Sequence, residues 1–439
     1  MDEMPAFEKA GGEFSARERG RLIQAAAALH DAERPVRMLR SVAWPQGAYE
    51  AFMSAKARSL PVVDYTPVDP APTHERTAVA RGLIDGSSVV HDWLSRVADV
   101  VDMGANMVGA VGTREFYQLS TRLYGAPTAT LNDNLTRPID LANALDDVLS
   151  GFKHEDLHLD EAPITYCADE LVDQIRPAII AHFGDDAPSL EVVDHLSARA
   201  IAGGRYIRFR RDAIFSDRDR AQLVQHEAFV HIGTTLNGHA QKHMPLLAAG
   251  HPGTTRTQEG LAVFAEIISG SMDPNRMRRL ADRVIAIQMS IDGADFIEIY
   301  NFFLDRTDDT RQSFENARRV VRGGLVSGGA PFTKDIVYLE GLLRVHNFLR
   351  VAVQLDRLDC IRLLFCGKLD IEDLPAICVM VQEGLCQFPR YLPPWVRDLR
   401  FLVSYLAYSA FLNQVDLGKI RNHYLDVLRH APKVPTPRD

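Results

Sequence analysis

Apolar positions recur at helical spacing along most of this chain, and strand-like alternation is confined to one short region. Residues 14 to 31 read as an amphipathic helix, with another beginning at 36 to 43. A proline-bounded stretch, Pro61 to Pro67, reads as extended, and Asp69-Pro70-Ala71-Pro72 as a linker. Helical periodicity returns over 75 to 98 and over 114 to 123, the latter closed by Gly125 and Pro127. It resumes at 138 to 153 and 168 to 183. Short strands are expected at 190–193, 196–201 and 205–209, with Gly203-Gly204 as the turn between the last two. Arg205-Tyr206-Ile207-Arg208-Phe209-Arg210 alternates basic and apolar residues, the pattern of a half-buried strand at a sheet edge. Ser216-Asp217 then resembles a helix start, and 218 to 231 the helix that follows. Further helices are expected at 258–269, 274–289, 296–304, 310–321 and 335–355, with several more to 428. Phe401 to Leu412 reads as a buried helix and Val434 to Asp439 as a frayed tail. The pattern predicts an α+β, mostly helical fold with a small β-sheet beside the helix 218–231. Its expected divisions are an N-terminal segment 1–70, a helical subdomain 71–185 and a core 186–439.

Composition narrows the class. The chain has 439 residues, 46% of them hydrophobic and 24% charged, as in a globular protein. Its net charge of −9 argues against a general nucleic-acid binder. No apolar run approaches the roughly 20 residues needed to cross a bilayer, and Met1 to Pro5 lacks the features of a signal peptide. The five cysteines are odd in number and contain no Cys-x-x-Cys, so neither a disulfide framework nor a cysteine zinc site is expected. A reducing cytoplasm fits best.

Candidate chemistry sits in Gln225-His226-Glu227-Ala228-Phe229-Val230-His231, followed by Thr257-Gln258-Glu259-Gly260-Leu261-Ala262. Two imidazoles flank a carboxylate, close to the H-E-x-x-H of zinc peptidases but with one residue more. On an α-helix, His226 and His231 would stand about 140° apart and could not share an ion. Either a π-turn, with i→i+5 hydrogen bonds, or an early helix end at Gly233 is required. Glu259 is a candidate third ligand, and its small neighbours Gly260 and Ala262 would admit close approach of another element. Glu266, seven residues on, is placed to orient a ligand histidine. His239, His243 and His251 lie nearby, but Gly238 and Pro245 favour a loop there.

These strings resemble the QEGLA-motif proteins, a bacterial family described as flavohaemoglobin expression-modulating, and the related microtubule-associated tyrosine carboxypeptidases. Leu123-Tyr124-Gly125-Ala126-Pro127, Arg205 to Arg208, Asn237-Gly238 with Gln241, Arg322-Gly323 and Phe332 to Asp335 leading to Tyr338 extend the resemblance over about residues 35 to 430. It implies zinc held by His226, His231 and Glu259, with Glu227 as base and Tyr338 as donor to the oxyanion. A gluzincin-like zinc carboxypeptidase follows, removing one C-terminal residue, aromatic residues included, from a peptide or protein. Zinc would lower the pKa of a water in its open position to about 7, and Glu227 would take that proton.

A terminal carboxylate needs a basic partner. Arg318, Arg319 and Arg322 precede a glycine-rich loop, 323–329, and Lys334 follows it, so Arg322 and Lys334 are the expected anchors. The loop glycines would allow closure over substrate. Arg208, Asn237 and Gln241 are further candidates for substrate contact, and the 205–209 strand for pairing with an extended peptide. A zinc-binding regulatory protein and an amidase on a small non-protein amide are the competing readings. The intact Glu227 favours an enzyme, because a structural zinc site needs no base there.

Overall fold

A computed structural model describes residues 14–150, 165–194, 196, 198–412 and 417–431. The expected tail 434–439, the N-terminal residues 1–5 and the end of the 138–153 helix lie outside these. The fold is mostly helical with a small sheet, α+β as the sequence pattern predicts. Helices at Ala168–Phe183 and Thr310–Val321 start and stop where their periodicity does.

Among the described residues there are five short strands, β1 (Thr165–Tyr166), β2 (Ser189–Val193), β3 (Ala200–Ala202), β4 (Tyr206–Arg210) and β5 (Phe215–Ser216). β1 pairs antiparallel with β5. The other three form a sheet in the order β2-β4-β3, with β4 parallel to β2 and antiparallel to β3. The basic–apolar strand β4 is therefore central, not an edge. Its alternation reports one buried face, Ile207 and Phe209, and says nothing of its lateral neighbours. The free edge beside the site belongs to β3.

Two boundaries differ for local reasons. The expected 75–98 helix is two, Ala71–Leu83 and Val89–Gly109, because the chain breaks through Gly86-Ser87 and Ser88 takes an extended N-cap conformation. Within Asp69-Pro70-Ala71-Pro72, read as a linker, Pro70 is the N-cap and Ala71 the first residue of the first of these helices. Pro72 lies in the opening turn, where no N–H is needed.

The largest apolar cluster runs from Phe14 through Trp93 and Phe264 to Leu406, across both residue 70 and residue 185. A second cluster packs the sheet and the helix Ala168–Phe183 against the helix that carries His226. The helix Arg400–Leu412 forms but is not buried as expected. Leu402 and Leu406, one helical turn apart, are fully buried in the core and Val403 and Tyr405 pack partly against it, whereas Phe401, Tyr408 and Phe411 are exposed. An apolar run broken only by Ser404 and Ser409 does not reveal which stripe finds a partner. Among the described residues no helix is long and apolar enough to cross a membrane.

Candidate active site

Ser216 caps the helix Asp217–Leu223 through a reciprocal capping box with Asp219. At Val224 the winding changes, and Val224–Ile232 is π-helical before α-helix resumes at Gly233–His239. The extra residue in the motif is absorbed there, by the π-turn and not by an early helix end. Five residues then return to one face, and the rings of His226 and His231 lie 4.9 Å apart. The His231 carbonyl accepts from Thr235 Oγ1 at 2.7 Å and from Lys368 Nζ at 3.0 Å, which supports the bulged turn from the far side.

Glu259 enters from the helix Thr255–Ile268. Its Oε2 lies 3.5 Å from His231 Nε2 and 3.7 Å from His226 Nε2. That helix crosses Val337–Gln354 at Gly260 and Gly341, where an added Cβ on Gly260 would stand 2.3 Å from the Gly341 carbonyl oxygen. The small residue beside Glu259 is thus a requirement of backbone contact.

His226 is 5% exposed, and its Nδ1 donates to Glu266 Oε1 at 2.7 Å. Nε2 is left pointing at Glu259. Glu266 is fully buried and accepts two bonds of 2.9 Å from Arg276, and one of 3.2 Å from Gln222. Burial would raise the Glu266 carboxyl, but Arg276 and His226 hold it down to about 2. Burial likewise disfavours a charged His226, yet Glu259, Glu266 and Glu227 around it lift it to about 10. Lys334 Nζ, 3.5 Å from Glu259 Oε1, together with the two imidazoles, keeps Glu259 well below the usual carboxylate range despite its burial.

Glu259 Oε2 is buried without a hydrogen-bond partner. His226, His231 and Glu259 each offer one atom within 4.8 Å of the others, an arrangement able to hold a metal ion. Glu227 stands beside them, with Oε1 3.8 Å from His226 Nε2 and Oε2 accepting the Ala202 N–H of β3 at 3.0 Å. The strand edge therefore aims the carboxylate.

The triplet opens into a cavity of about 710 Å³, walled by β3, the helix Pro274–Ile291 and the segment that carries Arg322, Lys334 and Tyr338. Its far side is basic. Arg319 is committed to Asp335 through bonds of 2.7 and 3.0 Å, and Arg318 to Glu315. Arg322 differs. Its Nε is buried without a hydrogen-bond partner, and burial followed by repulsion from Arg319 pushes it down to about 10. Arg279 and Arg283 join it, each lowered to about 10 chiefly by burial. Tyr338 lines the same wall under Arg283, whose guanidinium carbon is 4.8 Å from the ring centre.

Three expected contacts fall elsewhere. Asn237 is buried, donating to the Phe365 and Tyr391 carbonyls at 2.8 Å and accepting from the Arg390 and Tyr391 N–H groups. Gln241 bridges the Cys366 and Gln387 backbones in the same way. Both are spent on holding loops and lie outside the cavity. Arg208 pairs with Glu191 at 2.8 Å and stacks on Tyr206 at the surface. The glycine-rich loop is also pinned rather than free to close. Gly323 donates to Tyr65 and accepts from Gly112, and Gly329 donates to Ser290.

Arg276, Arg279 and Arg283 were legible as a basic stripe at i, i+3 and i+7 of one helix and were missed. Lys368 and the Ala202 N–H carry no sequence signal.

His239, His243 and His251 stay out of the cavity. His251 is 6% exposed, and burial pushes it down to about 4 against a weaker upward pull from Asp370. The unfolded chain therefore takes up a proton that the folded one refuses. The associated stability is complete above about pH 6.5 and drains away as pH falls toward 4, roughly 3 kcal/mol in all. Unfolding of His251→Gln, followed by denaturant titration between pH 7 and 4, is expected to show a shallower decline than wild type. Parallel curves would refute this.

A pair of histidines and a glutamate able to hold a metal, with a second carboxylate alongside in a basic cleft, is the equipment of a hydrolase. The chain belongs to the microtubule-associated tyrosine carboxypeptidase family, whose family model matches residues 50–414. Membership makes it a carboxypeptidase-type hydrolase with a peptide or protein substrate. No curated protein matches it.

Proposed function

We propose that the protein is a gluzincin-like zinc carboxypeptidase that removes one residue, aromatic residues included, from the C-terminus of a peptide or protein. The partnerless, buried Glu259 Oε2, facing two imidazole nitrogens, carries this reading. Two imidazoles and a carboxylate suit zinc, and His226 held through Nδ1 by Glu266 is the usual support for such a ligand. Zinc bound there supplies a Lewis acid that polarises the scissile carbonyl and acidifies water.

The chain's own groups do the rest. Glu227, aimed by the Ala202 N–H, takes the proton of the attacking water and delivers it to the leaving amine. Tyr338 donates to the developing oxyanion. Arg322, whose donors are not all used, grips the terminal carboxylate with help from Arg279 and Arg283. Lys334 holds Glu259 in place and adds to the positive field. The free edge of β3 offers backbone pairing to an extended substrate, the role expected of the 205–209 strand.

The test is a degenerate peptide library incubated with zinc-loaded protein, with Glu227→Gln in parallel, and products read by mass spectrometry. Loss of a single C-terminal residue with wild type alone is expected. Internal cuts would discard the exopeptidase. No cleavage at one zinc per chain would discard the enzyme.

A further inference from the structure

Far along the chain from the triplet, two cysteines meet at one arginine. Cys360 lies in the short helix Leu358–Leu363 and Cys378 in the helix Leu374–Gln382. Their sulfurs and an Asp359 carboxylate oxygen lie within 4.8 Å of one another. Arg357 approaches both thiols. Its Nη2 is 2.8 Å from Cys360 Sγ and 4.0 Å from Cys378 Sγ, while Asp359 fixes the guanidinium through bonds of 3.0 and 2.9 Å. A guanidinium on a sulfur favours the thiolate, which is the reactive form.

The two thiols are not equivalent. Cys360 is 8% exposed, whereas Cys378 is half-buried and open to reagents. Cys360 beside it, more than Arg357, draws the Cys378 thiol down to about 7 against burial, and Cys360 is pushed up in exchange. The pair gives up its first proton easily and its second with difficulty. That asymmetry separates an attacking sulfur from a resolving one. The Arg357 cation argues against reading the same cluster as a second metal site.

We propose that Cys378 and Cys360 form a reactive thiol pair, Cys378 attacking and Cys360 resolving, that takes a small disulfide such as oxidised glutathione and closes to a bridge between the two helices. In the first step Cys378 Sγ attacks one glutathione sulfur, and one glutathione leaves as thiolate and is protonated. In the second, Cys360 loses its proton to solvent, attacks the Cys378 sulfur and expels the second glutathione. Two protein thiols are oxidised and one glutathione disulfide is reduced to two thiols. The bridge closes the loop 361–377, which carries Lys368 to the His231 carbonyl. The pair is thereby connected to the motif helix.

The experiment exposes the full-length reduced protein to oxidised glutathione at pH 7, blocks remaining thiols and maps peptides by mass spectrometry. Cys366 and Cys386 are buried, and exposed Cys167 is an internal reference. Cys378 should be modified before Cys360 and well ahead of the buried Cys366 and Cys386. Wild type is expected to yield a Cys360–Cys378 crosslink with loss of two hydrogens. Cys360→Ser should stop at glutathione on Cys378. Arg357→Met, which leaves both cysteines in place, should slow Cys378 and leave Cys167 unchanged. Glutathione arriving first on Cys360, an Arg357→Met protein whose Cys378 reacts as fast as in wild type, or wild type halting at the mixed disulfide would each overturn the proposal.

Discussion

Arg276→Met is expected to destabilise the protein by about 3–5 kcal/mol, the scale of a buried ion pair that loses one partner. The reason is the company Glu266 keeps. Its carboxylate is fully buried, and Arg276 supplies two of its hydrogen bonds and the charge that holds it ionised. Methionine fills much of the space and returns neither. Glu266 is then left with Gln222 at 3.2 Å and His226 at 2.7 Å. The loss passes to His226, whose Nδ1–H is oriented only by that carboxylate. Removing such a support costs about 10–100-fold in metal affinity, so competition titration against a zinc chelator should show that weakening. Adding Glu266→Gln to Arg276→Met removes the stranded charge and keeps an acceptor for Nδ1–H. The double variant should recover most of the lost stability. If Arg276→Met unfolds at the wild-type denaturant midpoint, or the double variant is less stable than the single, this account of the support is wrong.

How far the chain itself foretold this site depends on whether a residue works through its neighbours in sequence or through partners the fold brings in. His226, Glu227, His231 and Glu259 stand in short strings whose residue types suggest their chemistry. The spacing of the histidines demanded a distortion, and the π-turn over Val224–Ile232 supplies it. Glu266 was placed by its seven-residue offset from Glu259, because two helical turns preserve a face. Sequence failed at Asn237 and Gln241. A polar residue near a motif can face the substrate or satisfy a loop, and only the positions of Phe365, Gln387 and Tyr391 decide between them. It failed at β4 for a related reason, since alternation reports which face is buried and not which strands lie on either side. The arginines sorted themselves similarly. Arg318, Arg319 and Arg322 are indistinguishable by type, and the carboxylates Glu315 and Asp335 occupy the first two and leave the third available.

The small residue next to Glu259 supports the second large effect. Gly260→Ala should cost about 3 kcal/mol or more, although alanine is the better helix former by about 1 kcal/mol. The new Cβ would lie 2.3 Å from the Gly341 oxygen and 2.4 Å from its carbonyl carbon. Ordinary contact begins near 3.4 Å, so one helix must retreat by about 1 Å. Backbone cannot rotate aside as a side chain does, which sets the cost at the upper end of overpacking. Gly341→Ala meets the Arg256 carbonyl oxygen at 2.3 Å and should behave alike. Because the two share one crossing, the double variant should cost less than the sum. Gly20 is the control. It lies within the helix Ala16–Glu33 with nothing within 4 Å of an added Cβ, so Gly20→Ala should stabilise by up to about 1 kcal/mol. The same substitution thus carries opposite signs at two helical positions, decided by what stands opposite. Function should follow the displacement, since Glu259 adjoins the crossing and a 1 Å misplacement can cost about 100-fold in rate. Denaturant unfolding of the metal-free variants and zinc titration of the folded fraction test both halves. A Gly260→Ala protein as stable as Gly20→Ala, or one that binds zinc as wild type does, would show that the helix crossing does not hold Glu259 in place.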